Sequence, residues 1–263
     1  MRHQPGDGRR QPDGDEARRR AAGIAGSSGP HALLHTGRTV SEGGAEVITG
    51  QEISDALRRA AAQLILLRDH LNRLDADIGD GDSGLTAERG AQAILAYLDA
   101  TPPTDDLGRW LAGAGMAYNR AAPSTMGALM ATAFMRAGKE VMGRATLGPE
   151  DLAAMLNAAD QGLQERGKTK PGDKTIVDAL HPAAVALSEA LKAGEPLEHA
   201  AQTMLDAARA GRDAAIALRS QVGRANWVGE RTEGKPDPGT VLLVAALEAA
   251  LQADFSEAGS RLG

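Results

Sequence analysis

The 263-residue chain has no cysteine, only six aromatic residues and no long apolar run. Without cysteine, disulfides, thiolate metal ligands and thiol catalysis are excluded, as expected of a cytoplasmic protein. A membrane span needs about 18 consecutive apolar residues and a secretory signal needs an apolar stretch, so we expect neither. The net charge of −6 disfavours binding to nucleic acid, which requires an excess of cations.

Alanine, with 51 residues, dominates what the sequence does contain. Ala and Leu favour helices, whereas sheets draw on aromatic and β-branched side chains, so the composition indicates an all-α fold. Thr49 and Glu52 have the spacing of a capping box and begin a helix whose apolar residues recur at intervals of three and four. Those residues are Ile53, Leu57, Ala60, Leu64, Leu67, Leu71 and Leu74.

Gly- and Pro-containing signals separate seven further helical stretches. They cover about 86–100, 105–121, 125–141, 149–166, 175–192, 196–221 and 240–258. With the first helix the count is eight, which predicts an antiparallel up-and-down bundle or barrel over residues 46–263. Residues 1–45 are rich in Gly, Arg, Asp and Pro and have no apolar period, so they are predicted to form a disordered tail.

An acidic, glycine-rich segment follows the first helix. Asp75, Asp77, Asp80 and Asp82 lie within eight residues, and carboxylates at this density repel one another unless a cation lies among them. The interleaved glycines allow the backbone to turn tightly, so that several oxygens can converge. Mg²⁺ combines carboxylates with water and phosphate oxygens and therefore fits this segment, whereas no frame satisfies an EF-hand. A plain Gly/Asp surface turn is the alternative.

Two more polar segments precede predicted helices. Ser124 and Thr125 offer hydroxyl and free N–H groups that suit an anion, although both residues are also typical of plain N-caps. The basic loop 167–175 resembles a phosphate loop superficially, but the Walker spacing and the preceding strand are missing. Asp173 is expected to cap the helix that follows this loop.

A fourth polar segment covers residues 223–239 and precedes the last predicted helix. Arg224 and Arg231 could each bind a phosphate through two hydrogen bonds, which lysine does less specifically. For Arg231, a surface pair with Glu230 is the alternative.

The four segments, in this order, resemble the nucleotide-binding L subunit of dihydroxyacetone kinases over about residues 50–258. The most specific matches are Leu74-Asp75, Gly79-Asp80-Gly81-Asp82, Pro171-Gly172-Asp173-Lys174-Thr175, Gly223-Arg224-Ala225, Gly229-Glu230-Arg231 and Asp237-Pro238-Gly239. The resemblance implies an antiparallel eight-helix α-barrel with the nucleotide bound at one end, in agreement with the helix count.

The resemblance also implies roles for individual residues. Asp75, Asp80 and Asp82 would bind two Mg²⁺ ions that hold the phosphates of ATP or of tightly bound ADP, and with Arg224 they form the expected catalytic set. Asp77 lies outside this triplet. The expected nucleotide-binding residues are Ser83, Gly84, Leu85, Thr86, Thr125, Met126, Gly167, Ile176, Arg224, Asp237, Pro238 and Gly239. The helix starts at Thr86 and Thr125 are expected to supply backbone N–H donors.

The implied activity is phosphoryl transfer to a hydroxyl of dihydroxyacetone or a similar ketose. The family holds the sugar covalently on a His of a separate K subunit, so this chain alone is predicted to be inactive. His70 and His181 are isolated in the sequence and are predicted to be surface or packing residues. The phosphoryl source is exchangeable ATP or bound ADP that a phosphohistidine protein of the sugar phosphotransferase system recharges.

Two departures from the family pattern bear on this activity. Ser83 stands where many members have His, which favours exchangeable ATP. Ser124-Thr125-Met126-Gly127 replaces Gly-Ala-Ser-Gly and looks closer to kinases of tetruloses.

Two other hypotheses for the function remain open: a non-catalytic nucleotide-sensing partner of a regulator, and the nucleotide domain of a fatty-acyl or other sugar kinase. The acyl-kinase relatives are expected to carry a long C-terminal extension, which this chain lacks. The oligomeric state is also open, with a homodimer as one alternative.

Overall fold

The computed structural model describes residues 14–26, 46–223, 225 and 229–251, and this part of the chain is almost entirely helical. Its ten α-helices are α1 Gly14–Gly26, α2 Gly50–Leu66, α3 Arg68–Ala76, α4 Ser83–Ala100, α5 Leu107–Ala121, α6 Thr125–Glu140, α7 Pro149–Gly167, α8 Val177–Lys192, α9 Leu197–Ala215 and α10 Pro238–Leu251. A 3₁₀ helix covers Gly229–Thr232. Two-residue strands, β1 Ile48–Thr49 and β2 Thr146–Leu147, pair antiparallel, with Ile48 opposite Leu147. The all-α prediction is confirmed.

The eight predicted helical segments form a closed ring. The first of them is α2 and α3, which are separated only by Leu67, whose N–H still donates to the Gln63 carbonyl at 3.0 Å. From α4 to α9 each helix packs against the next, and α10 packs against both α9 and α2. The helices therefore close into the predicted antiparallel barrel.

The alternating helix direction sorts the connections into two ends. At the strand end, β1 and β2 join the start of α2 to the start of α7, and Gly50 lies directly against Pro103. At the opposite end, here called the loop end, lie the connections 77–82, 122–124 and 168–176 and the described parts of the connection between α9 and α10, 216–223 and 229–237. Lys235 Nζ there lies 3.4 Å from the Asp77 carbonyl oxygen, which ties the last of these connections to the first.

Helix α1 shows that the predicted disordered tail is wrong for residues 14–26. It packs along α2 with Ala21 fully buried, and two of its three arginines pair with distant carboxylates. Arg18 bonds Asp69 at 3.2 Å and Arg20 bonds Asp99 at 2.6 Å. The prediction rested on a missing apolar period, but this helix is held by long-range ion pairs and a small buried face. The rest of residues 1–45 lies outside the described residues.

Other helix boundaries also differ from the prediction, and α4 begins at Ser83 instead of residue 86. Helix α9 ends at Ala215 instead of residue 221, because the N–H groups of residues 216–218 bond carbonyls only three residues back. Helix α10 already begins at Pro238, and residues 252–258 lie outside the described part. Among the described helices, none has the length and apolarity of a membrane span.

Candidate functional site

Three carboxylates from the connection between α3 and α4 meet at the loop end. One oxygen each of Asp75, Asp80 and Asp82 lies within 4.8 Å of the other two. Asp75 is 9% exposed, whereas Asp80 and Asp82 are open to solvent. Asp77 does not join them, and its carboxylate lies 3.9 Å from Lys235 Nζ. A buried carboxylate beside two exposed ones suits a hard divalent cation that keeps open positions for water or phosphate oxygens.

Asp75 also holds the loop in shape. Its Oδ2 accepts the N–H groups of Asp82 at 2.9 Å and Ser83 at 3.1 Å. No hydrogen bond to Oδ1 is found among the described residues, so this oxygen can serve a cation. A Cβ at Gly79 would stand 2.4 Å from Oδ1, which explains why glycine occupies that position.

Asn72 fixes the start of α4 and was missed by the sequence analysis. Its Oδ1 accepts the N–H groups of Gly84 at 2.8 Å and Leu85 at 3.1 Å. The N–H of Thr86 donates to the Asp82 carbonyl at 3.0 Å. The expectation of a free N–H donor at Thr86 is therefore wrong, because the protein already satisfies it. Residues three apart share a helix face, so the spacing of Asn72 from Asp75 was the available signal.

The start of α6 differs in this respect. Ser124 is the N-cap, and its hydroxyl accepts the Gly127 N–H at 3.1 Å. For the N–H groups of Thr125 and Met126, no acceptor is found within the described ranges. The side chain of Met126 packs against the core, so this residue presents its backbone to the loop end. This helix start retains two donors for an anion.

The residues expected at the adenine side lie where α7 ends and where α8 and α10 begin. Gly167 is the last residue of α7, and a Cβ there would lie 3.6 Å from the Leu129 side chain of α6. Ile176 is the N-cap of α8. A Cβ at Gly239 would lie 3.1 Å from the Ile176 backbone nitrogen. The structure thus brings Ile176 and Gly239 into contact.

The cap of α8 is not the residue that the sequence indicated. Asp173 accepts the Lys170 N–H at 2.9 Å and closes the loop on itself. The N-cap is Ile176, and it makes no side-chain cap bond. Asp178, in the first turn of α8, accepts the N–H groups of Thr175 at 2.8 Å and Gly172 at 2.6 Å, both of which precede the helix. The prediction for Asp173 is wrong because Lys174, which lies between Asp173 and α8, has a positive φ of 60°, so the chain turns before the helix begins.

Asp237, Pro238 and Gly239 form the start of α10, where Asp237 Oδ2 accepts the Thr240 N–H at 2.8 Å. Burial raises the pKa of Asp237 to about 7, against the effect of the Thr240 hydrogen bond, and the nearby charge of Asp178 raises it further. Asp237 therefore carries a proton under mildly acidic conditions.

This pKa predicts a pH-dependent stability. Between about pH 4 and pH 7 the native state binds a proton at Asp237 that the unfolded chain releases, so the free energy of unfolding should fall as pH rises. Asp237→Asn keeps the N-cap and should flatten this part of the profile. Urea unfolding of both proteins across that range measures the effect. Parallel profiles for the two would contradict it.

Several predicted residues do not enter the described geometry. Arg224 lies outside the described residues. Arg231 is exposed. Its predicted partner Glu230 pairs with Arg219 instead, at 3.6 Å. His181 is not isolated, since its Nδ1 lies 2.8 Å from Oδ2 of the buried Asp160.

A closed ring of antiparallel helices with a carboxylate cluster and unpaired N–H groups at one end defines a helical domain suited to a cation and an anion. The chain belongs to the DAK2 domain family, whose model matches residues 77–252.

Three comparisons make the relationship more specific. The chain is 33% identical over 174 residues to the ADP-binding subunit DhaL of PEP-dependent dihydroxyacetone kinase 2 from Listeria innocua, covering 66% of this chain and 80% of that protein. It is 34% identical over 202 residues to L-erythrulose kinase from Pectobacterium atrosepticum, covering 74% of this chain but 33% of that protein. The crystal structure of the C. freundii dihydroxyacetone kinase with AMP-PNP and Mg²⁺ aligns with a TM-score of 0.60 at 26% identity, covering 86% of this chain and 37% of that one.

Proposed function

We propose that this chain is the nucleotide- and Mg²⁺-binding subunit of a cytoplasmic kinase that phosphorylates a hydroxyl of dihydroxyacetone or a related small ketose. The convergence of Asp75, Asp80 and Asp82 is the observation that carries the proposal. The similarity to a subunit described as ADP-binding supports the nucleotide, and the similar crystal structure with AMP-PNP supports Mg²⁺ as the cation. Two Mg²⁺ ions are the proposed occupancy.

Phosphoryl transfer depends mainly on positioning and on neutralisation of phosphate charge, which bound Mg²⁺ supplies. The contribution of this chain is to hold the metal-binding carboxylates in position in advance. Asp75 and Asn72 fix the turn into α4 by accepting four backbone N–H groups, so the carboxylates are held together before any ligand arrives. The N–H groups of Thr125 and Met126 are the proposed donors to a phosphate oxygen.

The remaining contacts are assigned to the nucleotide. Gly167, Ile176 and the start of α10 at Asp237–Gly239 form the proposed adenine side, supported by the contact between Ile176 and Gly239. Arg224 is proposed to contact the nucleotide, and the segment from Ser83 to Thr86 the phosphates. Because the backbone N–H groups of that segment are already bonded, its contribution is assigned to the Ser83 and Thr86 hydroxyls.

The ketose is proposed to be held by a separate K-type subunit, so that transfer takes place between two chains. The similarity to L-erythrulose kinase supports a tetrulose as an alternative acceptor to dihydroxyacetone. The phosphoryl donor is ATP or a phosphohistidine protein. Ser83 favours ATP, whereas the similarity to a PEP-dependent subunit favours the second source.

The proposal is tested by mixing the purified chain with a K-type subunit that is active with its own partner. Phosphorylation of dihydroxyacetone and of erythrulose is followed from ATP, and separately from phosphoenolpyruvate with phosphotransferase proteins. We expect transfer with one of the two donors and none when either subunit is left out. Binding of Mg²⁺–ADP without transfer from either donor would instead support a nucleotide-sensing partner of a regulator.

A further inference from the structure

Lys174 is a buried cation to which the proposed function gives no role. It lies in the connection between α7 and α8, has a positive φ of 60°, and is only 2% exposed. Burial lowers its pKa, and the nearby negative charges of Asp237 and Glu233 act in the opposite direction. A buried ammonium group is costly unless each of its N–H donors is satisfied.

Three backbone carbonyls satisfy this ammonium group. Lys174 Nζ donates to Ile216 O at 3.0 Å, to Leu218 O at 3.0 Å and to Thr232 O at 2.5 Å. Since lysine has three donors, none is left for a ligand. Ile216 and Leu218 directly follow α9, while Thr232 ends the 3₁₀ helix that precedes α10. One side chain therefore joins the chain leaving α9 to the chain entering α10.

The residues that Lys174 joins, 216–221 and 229–235, are here called the loop base. Other hydrogen bonds connect its two halves: Ser220 N–H donates to Thr232 Oγ1 at 3.0 Å, and Gly234 N–H to Ile216 O at 2.9 Å. A further bond, from Gln221 N–H to Asp173 O at 3.1 Å, ties the loop base to the residue beside Lys174. Lys174 thus occupies the centre of this network.

We propose that Lys174 is a positioning residue, which anchors the loop base and thereby sets the start of α10 against Ile176 at the nucleotide site. The step from anchor to nucleotide rests on the proposed function. Ile176 follows Lys174 by two residues and Asp237 follows the loop base by two, so displacement of either part alters the gap between Ile176 and Gly239. The ammonium group acts through the backbone and does not touch the ligand.

The test compares Lys174→Met with wild type and with Lys139→Met, which removes an exposed lysine at the strand end. Without ligand, hydrogen exchange should become faster in peptides of the loop base. The Kd for Mg²⁺–ADP should rise at least about tenfold, because the wall of the site is no longer held. Mn²⁺ binding without nucleotide, measured by EPR, should change by less than about twofold, since the acidic cluster is held by α3 and α4. Lys139→Met should behave as wild type throughout.

Wild-type exchange and wild-type ADP affinity in a folded Lys174→Met protein would overturn the proposal, and so would equal losses of ADP and Mn²⁺ binding. If circular dichroism shows that this variant does not fold, Thr232→Val replaces it. That variant removes the bond to Ser220 and should shift exchange and ADP affinity in the same directions; faster exchange with unchanged affinity would overturn the proposal. If the wild type itself binds no Mg²⁺–ADP, the proposed function fails, and only the anchoring of the loop base by Lys174 is then tested. Faster hydrogen exchange in the loop base of the variant supports that anchoring, and unchanged exchange overturns it.

Discussion

Asp80→Ala is expected to abolish Mg²⁺-dependent nucleotide binding and, with the K-type partner, to lower ketose phosphorylation at least about a hundredfold. Its carboxylate oxygen lies within 4.8 Å of those of Asp75 and Asp82, so its loss removes one of three oxygens that can meet at a cation. Because Asp80 is exposed and removing one of several like charges relieves repulsion, the metal-free protein should lose little stability. Calorimetry with Mg²⁺–ADP and urea unfolding measure the two effects.

Asp77→Asn is the matched control for this prediction. Asp77 belongs to the same acidic loop, but its carboxylate lies beside Lys235 and outside the cluster. Affinity for Mg²⁺–ADP should stay within about twofold of wild type. Chelation by EDTA should abolish ADP binding to wild type and to Asp77→Asn alike. Normal ADP affinity in Asp80→Ala, or binding that survives EDTA, would refute the metal assignment.

The helices and the acidic cluster could be predicted because both are encoded by residues close together in the sequence. The apolar residues predicted for α2 recur every three to four positions, and of these Leu64 is buried while Ile53, Leu57 and Leu67 pack half-buried against the core. Ala61, Ala62 and Ile65 are buried outside that stripe, because α2 has neighbours on more than one side. The three cluster aspartates lie within eight residues, so one turn of backbone is enough to bring them together. Local patterns of this kind need no knowledge of which helices become neighbours.

The features that escaped prediction depend on partners far away in the chain. The salt bridge between Arg18 and Asp69 spans 51 positions, and no composition rule reveals it. In the sequence, Lys174 belongs to a basic loop, where an exposed lysine is expected. In the structure its ammonium group is buried against backbone carbonyls that lie 42 to 58 residues downstream. The start of α4 is a local exception: the Thr86 N–H donates to the Asp82 carbonyl four residues back, and Asn72 and Asp75 accept the N–H groups of residues 82–85. For Arg18 and Lys174, the acceptors are neighbours only because of the way the helices pack, which local sequence patterns do not specify.

Gly84→Ala is expected to destabilise the protein by about 3 kcal/mol or more and to weaken metal binding with it. A Cβ at Gly84 would stand 1.9 Å from the Arg68 carbonyl oxygen and 2.7 Å from Asn72 Oδ1. The first of these is a backbone atom inside α3, which cannot rotate away as a side chain can. Helices α3 and α4 would therefore have to separate, and the bonds of Asn72 to the start of α4 would break.

The separation should also reach the carboxylates, because Asp75 lies on α3 while the N–H groups of Asp82 and Ser83 that it holds lie at the start of α4. Gly143→Ala is the control: Gly143 has a positive φ of 74° but nothing within 4 Å, so alanine there meets backbone strain without a clash and should cost only about 1–2 kcal/mol. Urea unfolding and Mn²⁺ titration of both variants distinguish the effect of the clash between α3 and α4 from the effect of backbone strain alone. If Gly84→Ala were no less stable than Gly143→Ala and bound Mn²⁺ as wild type does, the close approach of α3 and α4 would not be what holds the acidic cluster in place.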